Sequence, residues 1–175
     1  MPEFEALLKE KIRSIPDYPK KGVIFRDITP LLKDYYSFSM CIDELASEFE
    51  GEKIDYVVGI EARGFIIGGA LAEKLGVGFI PIRKKGKLPY KKVSIDYELE
   101  YGKETIEVHE DAVEKGSRVL IVDDLLATGG TAKAAADLMQ KVGARVVGLG
   151  FLVELGDMKG KKKLDGARIV SLAKY

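Results

Sequence analysis

The sequence predicts an α/β fold, a mostly parallel central sheet flanked by helices. Two observations carry this. From residue 55 onward, strand-length apolar runs alternate with helix-length segments. The runs are near-continuous, as strands covered on both faces are. A third observation fixes where the chemistry sits. Residues 119–131 read Val-Leu-Ile-Val-Asp-Asp-Leu-Leu-Ala-Thr-Gly-Gly-Thr, a buried strand, an acidic pair and a Gly/Thr loop that opens an Ala-rich helix.

The elements follow in order. Residues 3–13 read as a helix, with Phe4, Leu7, Leu8 and Ile12 on one face. Ser14 to Pro30, with three prolines and Gly22, reads as irregular. Tyr35–Phe49 reads as a helix that packs Cys41. Then come strand Asp55–Ile60, helix Gly68–Leu75, strand Gly78–Arg83, strand Arg118–Asp123, helix Thr131–Val142, and strands Arg145–Val153 and Arg168–Leu172. Residues 84–108 break the alternation. Tyr97, Leu99 and Tyr101, then Thr105, Ile106 and Val108, predict a hairpin turning at Gly102-Lys103, an arm or flap outside the core.

Composition bounds the function. A chain of 175 residues with 46% apolar content suits one domain. Lys plus Arg equals Asp plus Glu at 28 each, so no global field favours nucleic acid or a membrane surface. No apolar stretch approaches the roughly 20 residues of a membrane span. The acidic N-terminus lacks a signal-peptide pattern. The single cysteine, Cys41, permits no internal disulfide, which suits the cytoplasm. His109 is the one histidine and reads as structural.

The 119–131 string suits a phosphorylated sugar. A helix start leaves free N–H groups and partial positive charge. Gly129 and Gly130 allow close backbone approach, and Thr128 and Thr131 add hydroxyl donors, so Ala127–Thr131 suits a 5-phosphate. Asp123 and Asp124 would repel a bare phosphate, but they accept from ribose hydroxyls and could hold Mg²⁺ directly or through water. Neither a nucleoside-triphosphatase P-loop nor a Gly-x-Gly-x-x-Gly motif is present.

Ligands of open α/β sheets bind beyond the carboxyl ends of the strands. Arg63 follows one strand there and offers a planar fork to an oxyanion. Arg83, Lys84, Lys85 and Lys87 follow another and could neutralise a diphosphate. Lys159, Lys161, Lys162 and Lys163 read as a solvated basic cluster.

The 119–131 string resembles the 5-phosphoribosyl 1-diphosphate signature of type I phosphoribosyltransferases. Four further segments narrow the resemblance to the adenine phosphoribosyltransferase family: Ile24-Phe25-Arg26-Asp27-Ile28-Thr29-Pro30, Arg83 to Pro89, Leu99 to Lys103, and Val153-Glu154-Leu155. The match spans nearly the whole chain. It implies the type I phosphoribosyltransferase fold, with a small N-terminal hood over about 1–34 and a flexible hairpin flap over about 84–108. It also implies transfer of phosphoribose from 5-phosphoribosyl 1-diphosphate to adenine, giving AMP and diphosphate, with Mg²⁺ on the diphosphate.

Carried over by position, Phe25 and Leu155 would sandwich the purine, and the backbone of Ile24 and Arg26 would read its edge. Glu100 on the flap would face the base beside Tyr101, and Asp123 and Asp124 would complete the catalytic group. Glu61, Ala62 and Arg63 would contact diphosphate with Arg83, Lys84 and Lys87, and a cis peptide is implied at Glu61–Ala62. Arg83 would reach a partner subunit's diphosphate, implying a homodimer. The sequence departs from relatives in two places. Glu61-Ala62-Arg63 replaces a Ser-Arg form, and Lys91-Lys92 follow Tyr90.

Two other readings compete. A 6-oxopurine or orotate transferase would need a different base pocket, and the Phe25-Arg26-Asp27 segment argues against it. A ligand-sensing regulator on the same fold, if it bound DNA, would want a winged-helix domain and a basic face. The residues ahead of Asp55 leave little room for the first, and the net charge of zero argues against the second.

Overall fold

A computed structural model of the chain describes residues 2–99, 102–164 and 166–175. Among the described residues, five helices and nine strands follow one another: α1 (Pro2–Lys11), β1 (Arg13–Pro16), β2 (Ile24–Asp27), α2 (Thr29–Lys33), α3 (Tyr35–Glu48), β3 (Tyr56–Ile60), α4 (Arg63–Leu75), β4 (Gly78–Lys84), β5 (Lys92–Leu99), β6 (Gly102–His109), β7 (Arg118–Leu126), α5 (Gly130–Lys141), β8 (Arg145–Glu154) and β9 (Ile169–Lys174). Two 3-10 turns, Gly156–Met158 and Gly160–Leu164, join β8 to β9.

Seven strands form one sheet in the order β5-β6-β4-β3-β7-β8-β9. Strands β4, β3, β7, β8 and β9 are parallel, while β5 and β6 run antiparallel at one edge. The parallel strands carry the near-continuous apolar runs because both faces are covered. On one face Leu8, Ile28, Leu31, Leu45, Phe49, Ile67 and Leu71 pack against Val57, Leu120 and Val122. On the other, Ala134, Ala135, Leu138 and Met139 of α5 pack against Val58, Ile60, Ile82, Val119 and Ile121. From β3 the chain passes to β4 on one side and later to β7 and β8 on the other. The order therefore reverses between β3 and β7, and that crevice is where an open α/β sheet places its ligand.

Several boundaries differ from the sequence expectation. Residues 14–30 are not wholly irregular. β1 and β2 pair antiparallel, Arg13 with Asp27 through Pro16 with Ile24, around a cis Tyr18–Pro19 peptide. Helix α4 begins at Arg63 rather than Gly68, because packing against β3 and β7 outweighs the low helix propensity of its glycines. β7 runs on to Leu126, held by pairing of Leu125 with Val153 and Leu126 with Glu154 on β8.

The hairpin forms, but Gly102 and Lys103 belong to β6, paired with Leu99 and Glu98, and are not its turn. Its base is core rather than arm. β6 pairs with β4, and Ile106 and Val108 are fully buried. Lys92, one of the unusual lysines after Tyr90, bonds the Leu88 carbonyl and the buried carboxylate of Glu107, which fixes that base. His109 is structural in position, its Nε2 lying 2.9 Å from the Pro89 carbonyl oxygen. Cys41 is buried in α3, and burial with Glu44 nearby pushes its thiol up to about 12.

Candidate active site

The crevice between β3 and β7 is built by close backbone approach. A Cβ on Gly64 would lie 3.0 Å from the Val122 carbonyl oxygen and 3.1 Å from Asp123 Oδ1. The first turn of α4 can therefore rest on the end of β7. That contact brings Arg63 to the acidic pair, with Nε 2.6 Å from Asp124 Oδ2. The peptide Glu61–Ala62, immediately before, is cis.

A cleft of about 430 Å³ opens here, lined by Glu61, Ala62, Arg63, Lys84, Asp123, Asp124 and Thr131 from the expected set, over a floor of Ile60, Ile82 and Ile106. A second hollow of about 230 Å³ adjoins it, formed by Arg63, Asp123 to Ala132 and Phe151. Its wall is the Gly/Thr loop. Gly129 sits in the left-handed region at φ 77° and begins α5, and Lys133 N–H returns to its carbonyl. The unpaired N–H groups of the helix start belong to this loop.

Charge in the cleft is balanced. Arg63 meets Asp124, Arg83 meets Glu61 at 3.3 Å, and Lys84 meets Glu104 at 3.2 Å. Burial would raise the Glu61 carboxyl, but the Lys84 N–H and the Arg83 guanidinium outweigh it, so the group titrates below its ordinary range. Asp123 goes the other way. Burial and the adjacent Asp124 charge push it well above the ordinary carboxylate range, against the N–H of Asp124 at 2.9 Å and the pull of Arg63. A buried acid of this kind can keep its proton near an anion.

This has a stability consequence. The folded state keeps the Asp123 proton at pH values where the unfolded chain, near 3.8, has lost it. Stability therefore falls as pH rises from there through the folded value. Asp123→Asn retains an acceptor oxygen without the charge. It is expected to raise the thermal midpoint at neutral pH by the equivalent of ~1 kcal/mol, with the gain shrinking toward acid. Calorimetry at several pH values checks this, and a lowered midpoint at pH 7 would contradict it.

Of the remaining expected residues, those described are not among the residues that line the two hollows. Lys87 is exposed and lends its carbonyl to Arg83. Arg83 folds onto Glu61 at the rim. Phe25 on β2 lies 5.5 Å from the Arg63 guanidinium and meets Tyr18 edge-on at 5.3 Å. The Arg26 side chain turns elsewhere, stacking over Tyr175 at 3.7 Å and bonding Ser14. Asp27 accepts from the backbone and hydroxyl of Thr29. Ile24 is half exposed. Leu155 follows β8, its N–H bonded to the Leu126 carbonyl at the end of β7. Glu100 and Tyr101 lie outside the described residues.

Sequence reasoning missed Tyr97 and Glu104, which line the cleft from the hairpin. They are cross-strand partners, and the Tyr97 hydroxyl donates to Glu104 at 3.0 Å. The correct hairpin register would have exposed the pair. Among the described residues no group of three or more His, Cys, Asp or Glu side chains could hold a metal by itself. No helix among them is long and apolar enough to cross a membrane.

Comparison with known proteins gives the family of the chain. The phosphoribosyl transferase domain model matches residues 32–172. An adenine phosphoribosyltransferase of Halothermothrix orenii is 57% identical over 165 residues, covering 94% of this chain and 97% of the relative. The chain belongs to the adenine phosphoribosyltransferase family. Its fold agrees with solved members. The Thermoanaerobacter pseudethanolicus adenine phosphoribosyltransferase superposes with a TM-score of 0.94 at 54% identity, covering 97% of this chain and 99% of that one. The Saccharomyces cerevisiae enzyme, solved with adenine and an imino-altritol bisphosphate, gives 0.92 at 40% identity, covering 98% and 99%.

Proposed function

We infer that this chain transfers the 5-phosphoribosyl group of 5-phosphoribosyl 1-diphosphate to adenine, releasing diphosphate and forming AMP. Family membership supports the reaction class. The observation that carries the reading is the cleft itself, where an acidic pair, cations and a Gly/Thr helix start meet at the switch point of the sheet.

The residues take roles as follows. Ala127, Thr128, Gly129, Gly130 and Thr131 hold the 5-phosphate on backbone N–H groups and hydroxyls. Asp123 and Asp124 accept from the ribose hydroxyls and face the positive charge that grows on the sugar. The backbone of Glu61 and Ala62, with Arg63, Lys84 and Lys87, takes the diphosphate, and Arg83 at the rim reaches that of a partner subunit. Nitrogen N9 of adenine forms the new bond to C1, the C1–oxygen bond breaks, and diphosphate leaves with the electron pair. The N9 proton passes toward Glu100 and the solvent. The hairpin excludes water, which would otherwise capture the cationic sugar. Residues 1–34 act as a hood over the base, and the outer part of the 84–108 segment as the flap, its base being held in the sheet.

The base pocket has a structural argument. β2 pairs with β1 in a two-stranded sheet, so among the described residues one of its backbone edges has no strand partner. The reading assigns the backbone N–H and C=O groups of Ile24 and Arg26 to the N1 acceptor and N6 donors of adenine, whereas a 6-oxopurine reverses the pattern. The Arg26 side chain is tied to Ser14 and Tyr175, which leaves its backbone as the reader. Phe25→Ala is expected to raise the adenine requirement roughly tenfold with little change in kcat. Steady-state kinetics with adenine as the varied substrate decides it, and an unaltered requirement would remove Phe25 from the pocket.

Mg²⁺ fits this donor set as a substrate-borne ion. Asp124 is engaged by Arg63, and two carboxylates alone make an incomplete shell. Diphosphate oxygens would supply most ligands, with Asp123 or Asp124 reached through water. The ion would neutralise charge on the leaving group. We also propose a homodimer in which Arg83 reaches the neighbouring site, and a cytoplasmic location, which the single buried thiol favours.

Incubation with adenine, 5-phosphoribosyl 1-diphosphate and Mg²⁺, followed by chromatography, should yield AMP only when both substrates are present. No AMP under saturating substrate would refute the assignment.

A further inference from the structure

A diphosphate site gains nothing obvious from an extra carboxylate, yet Glu104 lines this cleft. It is held from two sides. Lys84 Nζ lies 3.2 Å from Oε1, and the Tyr97 hydroxyl donates to Oε2 at 3.0 Å. The Thr131 hydroxyl in turn donates to the Tyr97 oxygen at 3.4 Å. The chain Thr131–Tyr97–Glu104–Lys84 thus runs across the cleft. Thr131 belongs to the loop read above as the 5-phosphate site, and Lys84 to the cations read as the diphosphate site. Tyr97 and Glu104 sit on adjacent strands of the hairpin and face one another in register.

We propose that Glu104 is a built-in competitor of diphosphate for Lys84, and that the Tyr97–Glu104 pair latches the hairpin onto both anion-binding segments until the sugar diphosphate displaces it. A ligand with phosphate at each end claims the Thr131 hydroxyl and the Lys84 ammonium together. Adenine carries no anion and claims neither. The latch lowers affinity for diphosphate, substrate and product alike, and so favours release of the leaving group after transfer. This inference rests on the diphosphate reading above.

The probe is inorganic diphosphate with Mg²⁺, titrated calorimetrically into the full-length protein at 0.15 M salt, where exposed charges beyond about 8 Å are screened. Glu104→Gln is expected to bind diphosphate about two- to five-fold more tightly than wild type, the span of a partly exposed ion pair. In a Lys84→Gln background the same change should have no effect. Glu98→Gln removes an equal charge from an exposed position on the hairpin and should leave binding unchanged. Equal binding by Glu104→Gln and wild type overturns the inference. So does a gain that persists without Lys84 or is matched by Glu98→Gln, since either would mark a general field effect. If wild type itself fails to bind Mg-diphosphate saturably, the diphosphate site falls first and the latch with it.

Discussion

Asp124→Asn is expected to lower kcat/KM for 5-phosphoribosyl 1-diphosphate by roughly 10- to 100-fold, the range set by losing one or two charged hydrogen bonds to substrate. Asp124 is 4% exposed and sits at the end of a strand that neighbours pair on both sides. Its removal does not open the core, so the fold should persist, and circular dichroism checks that. In the structure the carboxylate also engages Arg63. Asparagine keeps the shape but releases the guanidinium. The variant should therefore bind diphosphate at least as tightly as wild type while turning over slowly. A parallel loss of diphosphate affinity would show that Asp124 acts chiefly by holding Arg63 in place. Wild-type turnover would remove the residue from the mechanism.

The second large effect is expected at Gly160, outside the cleft. A Cβ there would fall 2.2 Å from the Ala127 carbonyl oxygen and 2.9 Å from the Gly129 nitrogen. The reciprocal contact is as close, because a Cβ on Gly129 would meet the Gly160 oxygen. Two backbone segments touch with no side chain between them. Backbone cannot rotate away as a flexible side chain can, so Gly160→Ala must displace the phosphate loop or the turn beneath it. Overpacking of this kind costs about 1–3 kcal/mol. The requirement for 5-phosphoribosyl 1-diphosphate should rise at least about tenfold, the kinetic equivalent of ~1.4 kcal/mol, while the adenine requirement moves much less. Lys159→Ala and Lys162→Ala, at exposed neighbours, serve as controls and should change neither. Equal increases for both substrates would point to general destabilisation rather than a shaped loop.

Gly160 also marks a limit of sequence reading. It lies inside a lysine-rich run read above as a solvated cluster, and solvation describes Lys159, Lys162 and Lys163 well. It misses Gly160, which is buried, and Lys161, which pairs with the largely buried Glu154 at 2.8 Å. A glycine required by backbone contact with a distant segment leaves no local pattern. The phosphate loop was legible because all its parts are consecutive: strand, acids, glycines and helix start.

The same distinction governs the rest. Parallel strands announced themselves through continuous apolar runs, which only burial on both faces explains. β1 and β2 did not, being four residues each with little alternation, Pro16 ending β1 and Pro19 in the connection. The hairpin turn was misplaced because Gly102 is the conspicuous turn-former, whereas pairing resumes at Gly102 itself. That error hid the Tyr97–Glu104 pair. The Phe25-Arg26-Asp27 segment owes much of its form to anchoring. Arg26 stacks on Tyr175 and Asp27 bonds Thr29, while Phe25 is left beside Arg63.

The proposed reaction needs both a sugar-diphosphate site and an adenine pocket, and one assay addresses both. Diphosphate release is measured with 5-phosphoribosyl 1-diphosphate and Mg²⁺, supplying adenine, hypoxanthine, guanine and orotate in parallel. Release with adenine, and none above background with the other three, is the predicted result. Release driven by hypoxanthine, guanine or orotate instead would keep the phosphate site and contradict the pocket built on Phe25, Leu155 and the backbone of β2.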